Sequence, residues 1–186
     1  ALVRETGGAG FSMLQLAKRA GVSPATPYNL LGSKGEVLRR VVQDEYASFA
    51  VRLEQLPQQS PLDRLLAAVD LIAVHYTAEP EFYRGLYAAM TGGEANPLRD
   101  VMSQEGQHLW GDMVGSAIEA GELAPLLGAE DLTGLLLRSV AGTVEAWLAE
   151  SWDDARFAAE MRRVSRLLVL GLVDAKRAAE LKAALA

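Results

Sequence analysis

From residue 33 onward, apolar side chains recur at spacings of three and four, the period of one face of an α-helix. A helix of about 20 residues, opened by Ser33 and Glu36 and running to Leu56, is the first such stretch, about 30 Å long at the helical rise. Its stripe is Leu38, Val42, Phe49 and Leu53, with Val41 and Tyr46 beside it. The loop at 57–60 separates it from a second helix carrying Leu62, Leu65, Leu66, Val69, Ile72, Ala73 and Tyr76. Pro80 opens a short aromatic-rich helix that Gly92 and Gly93 end. Asn96 and Pro97 start a long one with Leu98, Val101, Met102, Leu109, Met113, Val114, Ala117 and Ile118, ending near Gly121. A loop with Pro125 and Gly128 leads to helices over 130–150 and 154–172, split by Ser151, Trp152 and Asp153, and to a final helix over 174–185. No segment shows the alternation of a strand, so the predicted fold class is all-α.

The first forty residues are patterned differently, in short helices with strong punctuation. Ser12 and Gln15 have the spacing of a capping box, and Leu14, Leu16 and Ala17 supply the expected buried face of the helix it opens. Gly21 stands where the chain must turn sharply, and Val22 is expected to plug the space between helices. Ser23 is the expected cap of the next helix, with Pro24 in its first position. Ser33 with Glu36 has the capping-box spacing again. Helix, short turn with Gly, helix is the helix-turn-helix signature, whose second helix enters a DNA major groove. Ala1 to Gly7 read as the last turns of a helix that begins before Ala1, and residues 7–10 as a turn.

The wording of this stretch is more specific than the motif. Leu16-Ala17, Ala20-Gly21-Val22-Ser23, Ala25-Thr26, Tyr28-Asn29 and Gly32-Ser33-Lys34 together resemble the N-terminal DNA-binding domain of the TetR family of bacterial regulators. The resemblance covers roughly residues 1–45; beyond that, only the helical pattern is compatible. Leu31 stands where the family usually has Phe, which keeps an apolar plug. Pro27 lies early in the recognition helix, where it removes a backbone donor and is expected to distort the first turn slightly. The resemblance implies a helix-turn-helix domain at 1–45 and a helical effector-binding and dimerisation domain at 46–186. It implies a transcription regulator, most simply a repressor, that binds a palindromic operator as a homodimer and is released by a small-molecule effector.

Charge fits that division. The chain as a whole carries −6. Residues 1–40 hold Arg4, Lys18, Arg19, Lys34, Arg39 and Arg40 against Glu5 and Glu36, so the excess there is positive. Residues 57–186 are strongly acidic. The chain has no Cys, which removes disulfides, thiolate metal sites and Cys nucleophiles. No apolar run is long enough to span a bilayer, so no membrane partner is expected. No secretory signal is visible, and DNA binding implies the cytoplasm.

The resemblance gives Tyr28 and Lys34 as phosphate contacts, and a hydroxyl and an ammonium both suit phosphate oxygens. Ser12, Ser23 and Ser33 are further candidates, although each has a capping role to fill. Ala25, Thr26 and Asn29 are the expected base readers: Asn can pair with adenine, and Ala or the Thr methyl can meet a thymine methyl. Effector-lining candidates are His75, Tyr76, Phe82, Tyr83, Tyr87, Met90, Met102, Trp110, Met113 and Trp147. Each is equally a core residue at helical spacing. His75 and His108 lie beside apolar stripes, as hydrogen-bonding edge residues would. The last two long helices are apolar almost all round, and such helices bury more than one face. They are expected to pair with their two-fold mates through Leu135, Leu136, Val140, Val144, Val164, Leu167 and Leu168. No catalytic or dinucleotide motif is present, so neither an enzyme activity nor a metal or organic cofactor is expected. A helix-turn-helix used for protein contacts, or an all-α enzyme, are the alternatives.

Overall fold

The computed structural model describes residues 2–7, 10–91, 97–150 and 152–185, with side chains described except at 89–91 and 97–103. Within them the chain forms ten helices: α1 (Leu2–Glu5), α2 (Met13–Ala20), α3 (Ala25–Leu31), α4 (Lys34–Glu54), α5 (Pro61–Thr77), α6 (Pro80–Thr91), α7 (Pro97–Glu119), α8 (Ala129–Glu150), α9 (Asp154–Val169) and α10 (Ala175–Ala183). No strand occurs among the described residues. The protein is all-α. Gly8, Gly92, Gly93, Asn96 and Ser151 lie outside the described residues, as do the side chains of Met90, Leu98, Val101 and Met102.

The chain divides into two compact units. One comprises Ala1–Phe49 with Ala78–Glu105, the other Ala50–Thr77 with Gly106–Ala186. In the first, α2 packs on α3 and α1 on α6. Phe11, Met13, Ala17, Val37, Leu38, Val42 and Phe49 are buried there. Arg4 ties the ends of this unit together. Its guanidinium pairs with Glu45 of α4 and with Glu79 just before α6, and lies 4.3 Å from the centre of the Phe82 ring. Glu45 also accepts a 2.6 Å bond from the Tyr83 hydroxyl. Burial works against the Arg4 charge, but the bond to Glu79 and the carboxylates of Glu45 and Glu79 outweigh it and raise its pKa above the ordinary arginine value.

In the second unit α9 lies between α5 and α8 and packs on both. The stripe of α5 is buried as its spacing predicts, apart from Tyr76, which is half-buried. Phe157 of α9 is the centre of an aromatic stack: its ring is 4.6 Å from Trp147 of α8 and 6.4 Å from Tyr76, parallel to both within 16°. Arg166 of α9 grips Asp70 of α5 through two bonds of 3.0 and 2.8 Å. The buried hydroxyls are satisfied within their own helices, Thr133 and Thr143 by the carbonyls of Ala129 and Ser139, Ser165 by that of Arg162. Asp153 and Asp174 cap α9 and α10 by accepting from the N–H groups of Arg156 and Arg177 at 2.8 and 2.7 Å.

Candidate nucleic-acid interface

The helix-turn-helix lies wholly in the first unit. Its opening is as the sequence predicts. Gln15 N–H donates to Ser12 Oγ at 3.1 Å, and the Ser12 N–H donates to Gln15 Oε1 at 2.7 Å, so both halves of the capping box are made. The buried side of α2 is Met13 and Ala17, one turn apart, with Leu16 half-buried. Leu14 faces outward, 64% exposed, because it lies about 100° around the helix from Met13. It is therefore not part of the buried face.

Gly21 ends α2 in the left-handed region, at φ 67°. Its N–H donates to Lys18 O and that of Val22 to Ala17 O, the paired bonds of a Schellman closure. A Cβ at Gly21 meets nothing within 4 Å, so the requirement is purely conformational. Gly21→Ala is thus expected to destabilise the protein by about 1–2 kcal/mol, the cost of a left-handed L-residue; a denaturant titration beside the unchanged chain measures it. No loss of stability would mean that the turn relaxes to another geometry. Val22 is exposed and does not plug the helix pair.

The start of α3 differs from expectation. Pro24 already has helical angles at the cap position, and no side chain caps the helix there. Ser23 Oγ pairs instead with Thr26 Oγ1 at 2.9 Å, while the Thr26 N–H reaches Ser23 O at 3.0 Å. The turn is closed by its own backbone, and the hydroxyls satisfy each other. Pro27 is the third residue of α3, with its ring buried. Near a helix start few N–H groups have an acceptor within the helix, and Ser23 O is already taken by the Thr26 N–H, so the missing donor of Pro27 costs α3 at most one bond. Gly32, at φ 77°, ends the helix, its N–H donating to Tyr28 O at 3.0 Å. Ser33 then caps α4 by accepting from Glu36 N–H at 3.2 Å, while the Glu36 carboxylate is taken by Arg39.

The outward side of α3 is therefore defined. Ala25, Tyr28, Asn29 and Leu30 are exposed and Thr26 is half-buried, opposite Pro27 and Leu31. Tyr28 is 56% exposed. Ser12, Ser23 and Ser33 are exposed too, but the Ser12 and Ser33 hydroxyls are occupied as caps and that of Ser23 by Thr26. Lys34 is half-buried at the first position of α4, its ammonium 5.2 Å from the centre of the Phe11 ring.

Three of the six cations in residues 1–40 are engaged by carboxylates: Arg4 by Glu45 and Glu79, Arg19 by Glu5, Arg39 by Glu36. Lys18 and Arg40 are exposed and make no ion pair among the described residues. Neither was singled out by its place in the sequence, although both were counted in the local charge. What selects them is the loss of their neighbours to pairing, and this depends on the fold.

The effector candidates fall into two groups. Phe82, Tyr83 and Tyr87 are buried in the first unit, where Phe82 and Tyr83 meet Arg4 and Glu45. His75, Tyr76, Trp110, Met113 and Trp147 belong to the second; Tyr76 and Trp147 are held in the Phe157 stack. His75 lies on the buried face of α5 and not at its edge, whereas His108 is exposed. The side chains of Met90 and Met102 lie outside the described residues. The second unit also has a cleft of about 530 Å³ between α5 and α10, which includes the Asp63–Arg177 and Asp70–Arg166 pairs and is floored by Leu66 and Leu181. None of the eight candidates with described side chains lines it.

Comparison with solved structures places this architecture. The regulator RolR, solved with resorcinol bound, superposes with a TM-score of 0.77 over 97% of this chain and 86% of its own, at 16% identity. A TetR-family regulator from Syntrophomonas wolfei gives 0.75 over 94% and 92%, at 14% identity. A TetR regulator from Haloarcula marismortui gives 0.72 over 92% of each chain, at 17% identity. The fold is that of the TetR-family transcriptional regulators. No protein-family model and no curated protein matches the chain. The TetR fold comprises a helical DNA-binding part and a helical ligand-binding part, so it accommodates every helix described above. No helix among the described residues is long and apolar enough to cross a membrane.

Of the seven residues expected at a two-fold interface, Leu136 and Val144 are buried in the protomer's own core. The remaining five are presented outward or half-buried: Leu135 and Val140 on α8, Val164, Leu167 and Leu168 on α9. Only short runs of α8 and α9 are apolar all round, since the helices also expose Asp131, Arg138 and Glu145, and Arg156, Arg162 and Arg163; within such a run the sequence does not tell which side the chain's own core will take.

Proposed function

We propose that this protein is a TetR-family transcription regulator that binds double-stranded operator DNA as a homodimer. Residues 1–45 read the DNA and residues 46–186 carry effector binding and dimerisation. The observation that carries the reading is the surface of α3: a capped helix-turn-helix that presents Ala25, Thr26, Tyr28 and Asn29, with Lys34, Lys18 and Arg40 nearby in sequence. Tyr28 and Lys34 hold phosphates, and Asn29, Ala25 and Thr26 meet base edges. Ser12, Ser23 and Ser33 act chiefly in building the motif. The protein works as a repressor in the cytoplasm, and the operator is palindromic because a two-fold reader needs two half-sites.

Release requires an effector that binds the DNA-incompetent state better than the competent one. That RolR holds resorcinol supports a small organic effector here. Its candidate contacts are Tyr76, Trp110 and Trp147 within the second unit, and separately Phe82, Tyr83 and Tyr87 within the first. The deciding experiment is a selection of fragments of the source genome by the purified protein, followed by mobility shifts across a salt series. Specific, steeply salt-dependent binding of an inverted repeat is expected. A folded dimer that enriches no sequence would overturn the regulator reading.

A further inference from the structure

We infer that Leu30 is a base-reading residue that seats on the 5-methyl group of a thymine in each half-site. The inference rests on the DNA-reading role proposed for α3 and names what that surface recognises. Leu30 is 72% exposed on the recognition helix. Its exposure is not a fault of packing, since Pro27 and Leu31 already take the inward side. It follows Thr26 by one turn, so the two share a row along the outward surface. The Thr26 hydroxyl is paired with Ser23, which leaves its methyl as the group for an outside contact. The row is therefore aliphatic from end to end.

The rest of the motif has the same character. Leu14, Val22 and Tyr28 are also among the exposed large hydrophobic side chains, all within residues 14–30. Helix α3 carries no charged residue at all, so bidentate Arg–guanine or acid–cytosine contacts are not open to it. Along the major-groove edge, guanine, cytosine and adenine present nitrogen or oxygen atoms, and thymine alone adds a methyl group. A leucine pressed on a G·C edge would strip water from those polar atoms and give nothing in return. The same leucine on a thymine methyl removes apolar surface from water on both sides. Leu30 thus favours thymine by attraction and disfavours G·C by desolvation.

The test uses the full chain and a randomised duplex library. The best duplex is resynthesised with deoxyuridine replacing each thymine singly, which deletes only the methyl. At one position per half-site the change should weaken binding about fourfold, and about fifteenfold when made in both, the worth of one buried methyl in each. Leu30→Ala should lose sensitivity at that position and keep it elsewhere. Replacing that T·A pair by C·G should weaken wild-type binding, and 5-methylcytosine should recover part of the loss. Because Leu30 is exposed, the variant should melt as the parent does. Two outcomes would overturn the inference while leaving DNA reading intact: no deoxyuridine effect at any half-site position, or an effect of equal size in Leu30→Ala. Failure of the wild-type chain to enrich any duplex would overturn the DNA reading itself, and this inference with it.

Discussion

Replacing Tyr28 and Lys34 together by alanine is expected to abolish operator binding. On the proposed reading each supplies a hydrogen bond to a charged phosphate oxygen, worth roughly 1.5–3 kcal/mol. Losing both costs on the order of a hundredfold in affinity or more for each head, and a dimer loses it twice. The salt dependence separates the two contributions. Each phosphate neutralised by a cation adds about 0.9 to the slope of log K against log salt, so Lys34→Ala alone should lower the slope by about two for a dimer. Tyr28→Ala should weaken binding with little change of slope. Tyr28 is 56% exposed, and its loss should leave the melting temperature unchanged. Lys34 lies over the Phe11 ring, so a melt must accompany its measurement. Unchanged affinity and slope in the double variant would remove α3 from the binding surface.

If the protein is the homodimer proposed above, Leu167→Glu is expected to convert it to a monomer. Leu167 is 58% exposed on α9. Around a two-fold axis each substitution is present twice, so two carboxylates would enter the proposed interface, each with only Arg163 one turn back, already paired with Glu160, to answer it. Burying unpaired charge costs several kcal/mol, enough to raise the dissociation constant by more than a hundredfold. Light scattering behind size exclusion reads the mass directly. Helical content should persist, because the side chain faces away from the protomer core. Operator affinity should fall with the dimer, since one head holds one half-site. Leu136→Ala and Val144→Ala are the contrast: both side chains are buried in the protomer, so they should lower its stability while leaving its partnership intact. A parent chain that is monomeric, or a variant that stays dimeric at micromolar concentration, would refute the interface.

What could be read from the sequence follows the range of the interactions concerned. The ends of α4, α8, α9 and α10 fall within three residues of those expected, and the Ser12–Gln15 box and the Gly21 turn, which depend on residues three to five apart, are legible. So is the all-α class, which needs only the period of the apolar positions. The failures are instructive in the same terms. Leu14 lies on the outer side of α2 although its letter fits the buried one, because in an eight-residue helix two stripes fit the letters equally well. Ser23 had the right identity for a cap, but Pro24 took the position and Thr26 offered a hydroxyl in exchange. The Arg4–Glu45 pair joins residues 41 apart, and the Phe157 stack gathers three helices. No local pattern announces either. The side taken by Leu135 and Leu136 on α8 is illegible for a related reason: the two stand in one apolar run, and packing on α9 buries Leu136 while Leu135 joins Asp131, Arg138 and Glu145 on the exposed side.

The pairing of Arg4, Arg19 and Arg39 with carboxylates has a consequence at the scale of a genome. Contacts to arbitrary DNA come almost wholly from unneutralised cations. A head that spends half of its positive charge internally holds random sequence weakly and is steered to it weakly. On the regulator reading, less of the cellular pool is then sequestered on the millions of competing sites, and occupancy of the operator is set by how slowly the complex dissociates. The same economy leaves more of the protein off the DNA, where an effector can meet it.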